Sequence, residues 1–164
     1  MGRWRPPRPK SSPYITREGF TALQDELKAL WQRRGDVVKA LAAAAAEGDR
    51  SENAEYIYRK KELREIDRRI RYLQKRLPVL KVVSEAPANQ AQVFFGARVT
   101  LENEAGDTVK YRIVGPDELT RPDAISIDSP LARALLKKTI DDEVAVRTER
   151  GLVRYWILEI DYRR

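Results

Sequence analysis

The chain has 164 residues, with 32 Lys and Arg against 25 Asp and Glu, a formal net charge of +7, and neither cysteine nor histidine. That length holds one ordinary domain or two small ones. The missing residue types exclude disulfides, thiolate metal sites, cysteine nucleophiles and every Ser/His or Cys/His triad.

The basic surplus points to an anionic partner such as nucleic acid, or else to a soluble protein with spare surface Lys and Arg. No apolar run reaches the roughly 18–20 residues a membrane span requires, so no membrane association is expected. The opening stretch, residues 1–10, is basic and Pro-rich but lacks the apolar core of a secretory signal, which predicts a cytoplasmic protein. Residues 1–13 read as a disordered arm, because proline blocks helix there and little can be buried.

Thr16 is a candidate N-cap, with Glu18 in the first helical turn, where the helix dipole favours an acid. Apolar residues then recur at Phe20, Leu23, Leu27, Leu30, Val37, Leu41 and Ala44, with Arg34 in the one missing slot. The alternation of three and four is a heptad seam. The spacing resumes at Tyr56, Leu63, Ile66, Ile70, Leu73 and Leu77, with Arg59 in the odd slot. Two heptad helices joined around Gly48 predict an antiparallel coiled-coil hairpin over residues 14–80, with an acidic tip near residues 47–55. Thirty helical residues make a rod of about 45 Å. A turn centred near Asp49 brings Arg34 level with Glu62, Glu65 and Ile66, so a cross-helix ion pair is expected for that seam arginine.

Pro78 and the stretch from Ser84 to Gln90 end the rod, and residues 81–92 read as a linker. Beyond it the period falls to two. Val99 and Leu101, then Val109, Tyr111 and Ile113, alternate with polar residues around a turn at Ala105-Gly106-Asp107. Ile125 and Ile127 suggest a short strand, and Ser129-Pro130 opens a short helix with serine as cap and proline at its first position. Val144 and Val146, a turn at Glu149-Arg150-Gly151 and the run Leu152 to Tyr162 form a last hairpin. Residues 93–164 are therefore predicted as a small antiparallel-sheet domain with one short helix, making the whole chain α+β.

Two features carry candidate chemistry. Asp49 and Glu52 lie three apart where the second helix begins. Magnesium prefers oxygen ligands, often one or two carboxylates completed by water and phosphate, so this pair could finish a site whose other ligands come from a partner. The same four residues fit a capping box, Asp49 capping the second helix and Glu52 reaching back to the cap amide; spacing alone leaves both readings open. Along the second helix Lys60, Arg64, Arg68, Arg71 and Lys75 form a stripe of one sign. Such a stripe is repulsive within a helix, and a phosphate backbone would offset it; a solvated surface is the other reading. Tyr56 and Tyr58 could stack on a base, although Tyr56 occupies a seam slot. Phe94-Phe95-Gly96 reads as domain packing or contact surface. Asp128-Ser129, with no histidine in the chain, reads as a helix cap and not a nucleophile.

At Thr16-Arg17-Glu18-Gly19, the block Gly48 to Tyr56, Phe94-Phe95-Gly96-Ala97, Tyr111 to Gly115 and the run Ile125 to Leu136, the chain resembles the bacterial Gre transcript-cleavage factors. The resemblance spans roughly Tyr14 to Tyr162. Arg50-Ser51 and the long basic stripe look more like the GreB branch than GreA. It implies a coiled coil followed by an FKBP-like docking domain, in a protein that is not itself an enzyme; a hairpin that closes its own seam has little need of a partner chain, so a monomer is expected. Such factors bind RNA polymerase, pass the coiled coil through its secondary channel and stimulate Mg²⁺-dependent cleavage of backtracked RNA by the polymerase's own site. By that pattern Asp49 and Glu52 help hold the second Mg²⁺ and act catalytically. Lys60, Arg64, Arg68, Arg71 and Lys75 map onto the patch that guides the nascent RNA 3′ segment, and Asp128, Ser129 and Pro130 onto polymerase docking. The Mg²⁺ is shared with the polymerase, and tight binding to the isolated protein is not expected. Two alternatives stand beside this: a Gre-like channel regulator that pauses polymerase without cleavage, and a coiled-coil nucleic-acid binder with no polymerase target.

Overall fold

The computed structural model describes residues 2, 4, 11–48 and 53–163. Its contacts divide the chain into a helical unit, Glu18–Leu80, and a sheet unit made of Met1–Arg17 with Lys81–Arg164.

In the helical unit, α1 (Arg17–Ala46) and α2 (Ala54–Arg76) run antiparallel, as the cross-helix pairs Glu26 with Arg69 and Arg33 with Glu62 require. Leu23, Val37 and Ala44 of α1 and Ile66, Ile70 and Leu73 of α2 are buried, all on the seam that the heptad spacing predicts. Val37, Ile66 and Ile70 form one cluster, with Leu27, Leu30 and Leu63 packed against it. Each fully buried branched side chain contributes about 1.5–3 kcal/mol, so this stripe, and not helix propensity, holds the rod together. The seam arginine finds a different partner from the expected one. Arg34 Nε lies 2.7 Å from Asp67, while Glu62 pairs with Arg33 at 2.6 Å. Asp67 lies two residues beyond Glu65, so the long guanidinium side chain reaches along the facing helix to an acid past the expected level. Leu77 leaves the seam helix: it caps α2 and begins a 3-10 turn, Leu77–Val79, around Pro78.

In the sheet unit, β1 (Tyr14–Thr16) pairs in parallel with β2 (Lys81–Val83). Residues 81–83 were expected in the linker, and Tyr14–Thr16 in the rod, so the sequence expectation is corrected at both ends of the hairpin. Ser12 likewise departs from the expected disorder. Its N–H donates to Asp128 Oδ2 at 2.9 Å and its hydroxyl donates to Oδ1. Residues 1, 3 and 5–10 of that arm lie outside the described residues.

The five-stranded sheet has the order β5-β4-β3-β7-β6, from β3 (Arg98–Asn103), β4 (Thr108–Val114), β5 (Ala124–Ser126), β6 (Glu143–Thr148) and β7 (Gly151–Asp161). All neighbours are antiparallel except β4 and β5, which run parallel. The register pairs Val99 with Tyr111 and Leu101 with Val109, as the alternation demands. It shifts against β7 between Thr100 and Leu101, leaving Leu158 as the extra residue. The helix α3 (Pro130–Leu135) contributes Ala132 and Leu135 to a core with Val93, Ala97, Val99, Leu101, Ile113, Val144 and Ile157. The chain is α+β, as predicted. Among the described residues no helix is long and apolar enough to cross a membrane.

Candidate functional site at the coiled-coil tip and along α2

The tip is built by helix termini. An α-helix leaves its first four N–H groups and last four carbonyls without internal partners. At the start of α2 the cap is Asn53, in extended conformation (φ −82°, ψ 103°), whose Oδ1 accepts from Tyr56 N–H at 3.1 Å. Its Nδ2 donates to the carbonyl of Ala44, in the last turn of α1, at 2.8 Å. One amide side chain therefore serves both helix ends. Of the two readings left open for Asp49 and Glu52, the cap is not at Asp49: α2 begins at Ala54, so its N-cap is Asn53. Asp49 and Glu52 themselves lie outside the described residues. Among the described residues no group of three or more acids is arranged to hold a metal ion.

Two sets of charges on α2 bear on the site. Arg59 pairs with Glu55 at 2.8 Å and Glu62 at 3.0 Å, and Arg69 forks onto both oxygens of Glu26 at 2.6 and 2.9 Å. Together with Arg33–Glu62 and Arg34–Asp67, these pairs flank the seam. The Glu62 carboxyl is held below the ordinary range, chiefly by its hydrogen bond from Arg33 and then by that from Arg59. The second set is the predicted stripe. Lys60, Arg64, Arg68, Arg71 and Lys75 are all exposed, and no ion pair joins any of them to another described residue. They span about 22 Å of helix. Lys60 Nζ lies 5.9 Å from the Tyr56 ring centre, and Arg59 lies 5.5 Å from that of Tyr58. Tyr58 is 60% exposed, whereas Tyr56 is half-buried.

The third predicted group sits at the start of α3. Asp128 receives both donors of Ser12, Ser129 Oγ accepts from Ala132 N–H at 3.2 Å as the N-cap, and Pro130 is the first residue of α3. Asp128, Ser129 and Pro130 therefore build local structure, with Pro130 exposed. Phe94 and Phe95 are half-buried, and the Phe95 ring lies 6.1 Å from that of Tyr14.

Sequence reasoning missed Glu118. Its carboxylate accepts from Thr16 N–H at 2.8 Å, from the Thr16 hydroxyl, and from Gly115 N–H at 2.9 Å. It thereby fixes the residue that immediately precedes α1. Gly115 is equally committed, because a Cβ there would lie 2.0 Å from the Tyr14 carbonyl oxygen.

Comparison with known families adds to this geometry. Residues 13–82 match the model of the transcription elongation factor N-terminal domain, and residues 88–162 match the GreA/GreB C-terminal domain. The chain belongs to the GreA/GreB family of transcription elongation factors. Among its relatives, the transcription elongation factor GreB of Xanthomonas axonopodis pv. citri is 58% identical over 165 residues, covering 99% of this chain and 98% of that protein. GreB of Pseudomonas aeruginosa is 58% identical over 164 residues, with the same coverage. Among solved structures, that of GreA factor homolog 1 of Thermus thermophilus is 24% identical over 90% of this chain and 97% of its own, with a TM-score of 0.42.

Proposed function

We propose that this Gre-family chain binds RNA polymerase, inserts its coiled coil into the secondary channel and stimulates the polymerase's own cleavage of backtracked RNA. One observation carries the reading: Asn53, a neutral residue, caps α2, so capping of that helix does not account for the acids Asp49 and Glu52. Both are hard oxygen donors, the class that magnesium selects, and two carboxylates suffice where phosphate and water complete the set. Magnesium bound in such a site polarises a water molecule and lowers its pKa. The chain's own part is to carry Asp49 and Glu52 to the reaction centre on a long, narrow support. Lys60, Arg64, Arg68, Arg71 and Lys75 hold the RNA 3′ segment by its phosphates. Docking falls at the start of α3, where Asp128 already holds Ser12 and Pro130 is exposed. The protein is then a monomeric cytoplasmic cofactor of hydrolysis, and the reacting bonds belong to the polymerase.

The test is a stalled, backtracked elongation complex carrying labelled RNA. Added protein shortens the RNA in a Mg²⁺-dependent manner. Asp49→Asn and Glu52→Gln abolish shortening without altering polymerase binding or thermal stability. Normal cleavage by both variants overturns the proposal. Binding that slows elongation and leaves the RNA intact would instead identify a channel regulator without cleavage activity.

A further inference from the structure

The tip carboxylates are useful only if they converge on one point, since a misplacement of about 1 Å at a reaction centre can cost on the order of 10²-fold in rate. Residues 45–52, which carry both acids, are bounded by Ala44 at the end of α1 and by Asn53 at the start of α2. The Asn53 side chain joins those two boundaries directly: Oδ1 accepts from Tyr56 N–H at 3.1 Å, and Nδ2 donates to the Ala44 carbonyl at 2.8 Å. That carbonyl already accepts from Glu47 N–H at 3.2 Å, so the Asn53 amide takes its second lone pair. Ala44 is 3% exposed, which places this bond at the closed end of the seam.

The chemistry selects asparagine. Capping alone is also served by Asp, Ser or Thr, but ionised Asp has no proton to donate, and a Ser or Thr hydroxyl would have to make both bonds from a single oxygen one bond nearer the backbone. A short primary amide carries acceptor and donor on separate atoms, one for each helix. We propose that Asn53 is a positioning residue for cleavage, a latch that fixes the spacing of the two helix ends between which Asp49 and Glu52 fall in the sequence. This rests on the cleavage reading given above and assigns it a residue that touches neither RNA nor metal.

Asn53→Ser separates the two jobs, because serine retains the cap and loses the reach to Ala44. In the free full-length protein, hydrogen exchange read by mass spectrometry on a peptide spanning residues 45–53 should quicken about three- to tenfold, the scale of one neutral hydrogen bond. Far-ultraviolet ellipticity should stay at the wild-type value. In the backtracked complex the Mg²⁺ concentration for half-maximal cleavage should rise by a similar factor, with polymerase affinity unchanged. Asn53→Ala removes both bonds, and its exchange should also quicken at Tyr56. Faster exchange in the serine variant with an unaltered Mg²⁺ dependence overturns the positioning role. Unaltered exchange beside normal wild-type cleavage overturns the latch alone. Wild-type protein that cleaves nothing overturns the cleavage reading, and with it the use of the latch in that reaction.

Discussion

The basic stripe gives the most exacting test of the proposal that α2 meets RNA. Neutralising Arg64, Arg68 and Arg71 to glutamine preserves helix propensity and touches no ion pair between described residues. If all five cations of the stripe contact phosphate, counterion release gives a logarithmic salt slope of about −0.7 per contact, or roughly −3.5 in total on single-stranded RNA. Raising salt from about 50 to 200 mM would then weaken the RNA-dependent part of binding roughly 100-fold. With two cations left, the slope falls to about −1.4 and the loss to roughly sevenfold. The assay is cleavage of long backtracked RNA at subsaturating protein across that salt range, with the variant's slope subtracted from the wild type's so that polymerase docking cancels. The expected difference is about 2. Stability supplies a second readout of opposite sign. The stripe places like charges three and four residues apart, so neutralisation relieves repulsion and the melting temperature should hold or rise. Arg69→Gln is the contrasting control: it breaks the fork onto Glu26, so it should lower the melting temperature and leave the slope alone. An unchanged slope in the triple variant, or an equal change in the control, refutes the assignment.

Glu118→Ala removes the acceptor of three hydrogen bonds around Thr16, itself 4% exposed, and should cost the sheet unit about 3 kcal/mol; faster amide exchange at Thr16 and Gly115 reports it, and wild-type protection there would refute it. Gly115→Ala sets a methyl group against the Tyr14 carbonyl, which its ideal position would approach to 2.0 Å, so β1 must shift. A loss of about 2 kcal/mol or more in denaturant titration is expected, and an unchanged midpoint would rule out the close approach. Glu62 gives a pH signature. Its folded carboxyl titrates below its unfolded value, so its contribution is complete above the unfolded pKa of about 4.3 and disappears as pH falls through the lower folded value. Melting curves across that acid window should show Glu62→Gln less pH-dependent than the wild type, and parallel curves would show that the Arg33 bond does not form in solution.

The heptad seam was legible because its evidence is repeated: each apolar slot is weak alone, but Leu23, Val37, Ala44, Ile66, Ile70 and Leu73 agree on one face. The β3–β4 and β6–β7 hairpins were legible for the same reason, with alternation and a glycine turn coinciding. What escaped depends on single residues or on distant partners. Tyr14–Thr16 and Lys81–Val83 are too short to show a period, and each becomes a strand only beside the other. Glu118 meets Thr16 from the far side of the sequence, so no local pattern marks it, although Gly115 three residues earlier hinted at a tight turn. At the tip, Asp49-x-x-Glu52 and Asn53-x-x-Tyr56 both have cap spacing. The choice belongs to the backbone, which is extended at Asn53 and begins α2 at Ala54.

That choice bears on the chemistry. An acidic N-cap would have had its charge drawn into the first-turn amides and the positive end of the helix dipole, lowering its value as a ligand for a cation elsewhere. Asparagine caps as well as aspartate does, and without charge. The same division appears along α2, where Arg59 and Arg69 are committed to acids while Lys60, Arg64, Arg68, Arg71 and Lys75 form no ion pair with another described residue. The residues whose ion pairs hold the rod and the cations proposed to meet RNA are therefore different residues of one helix, and the two sets are separable by mutation.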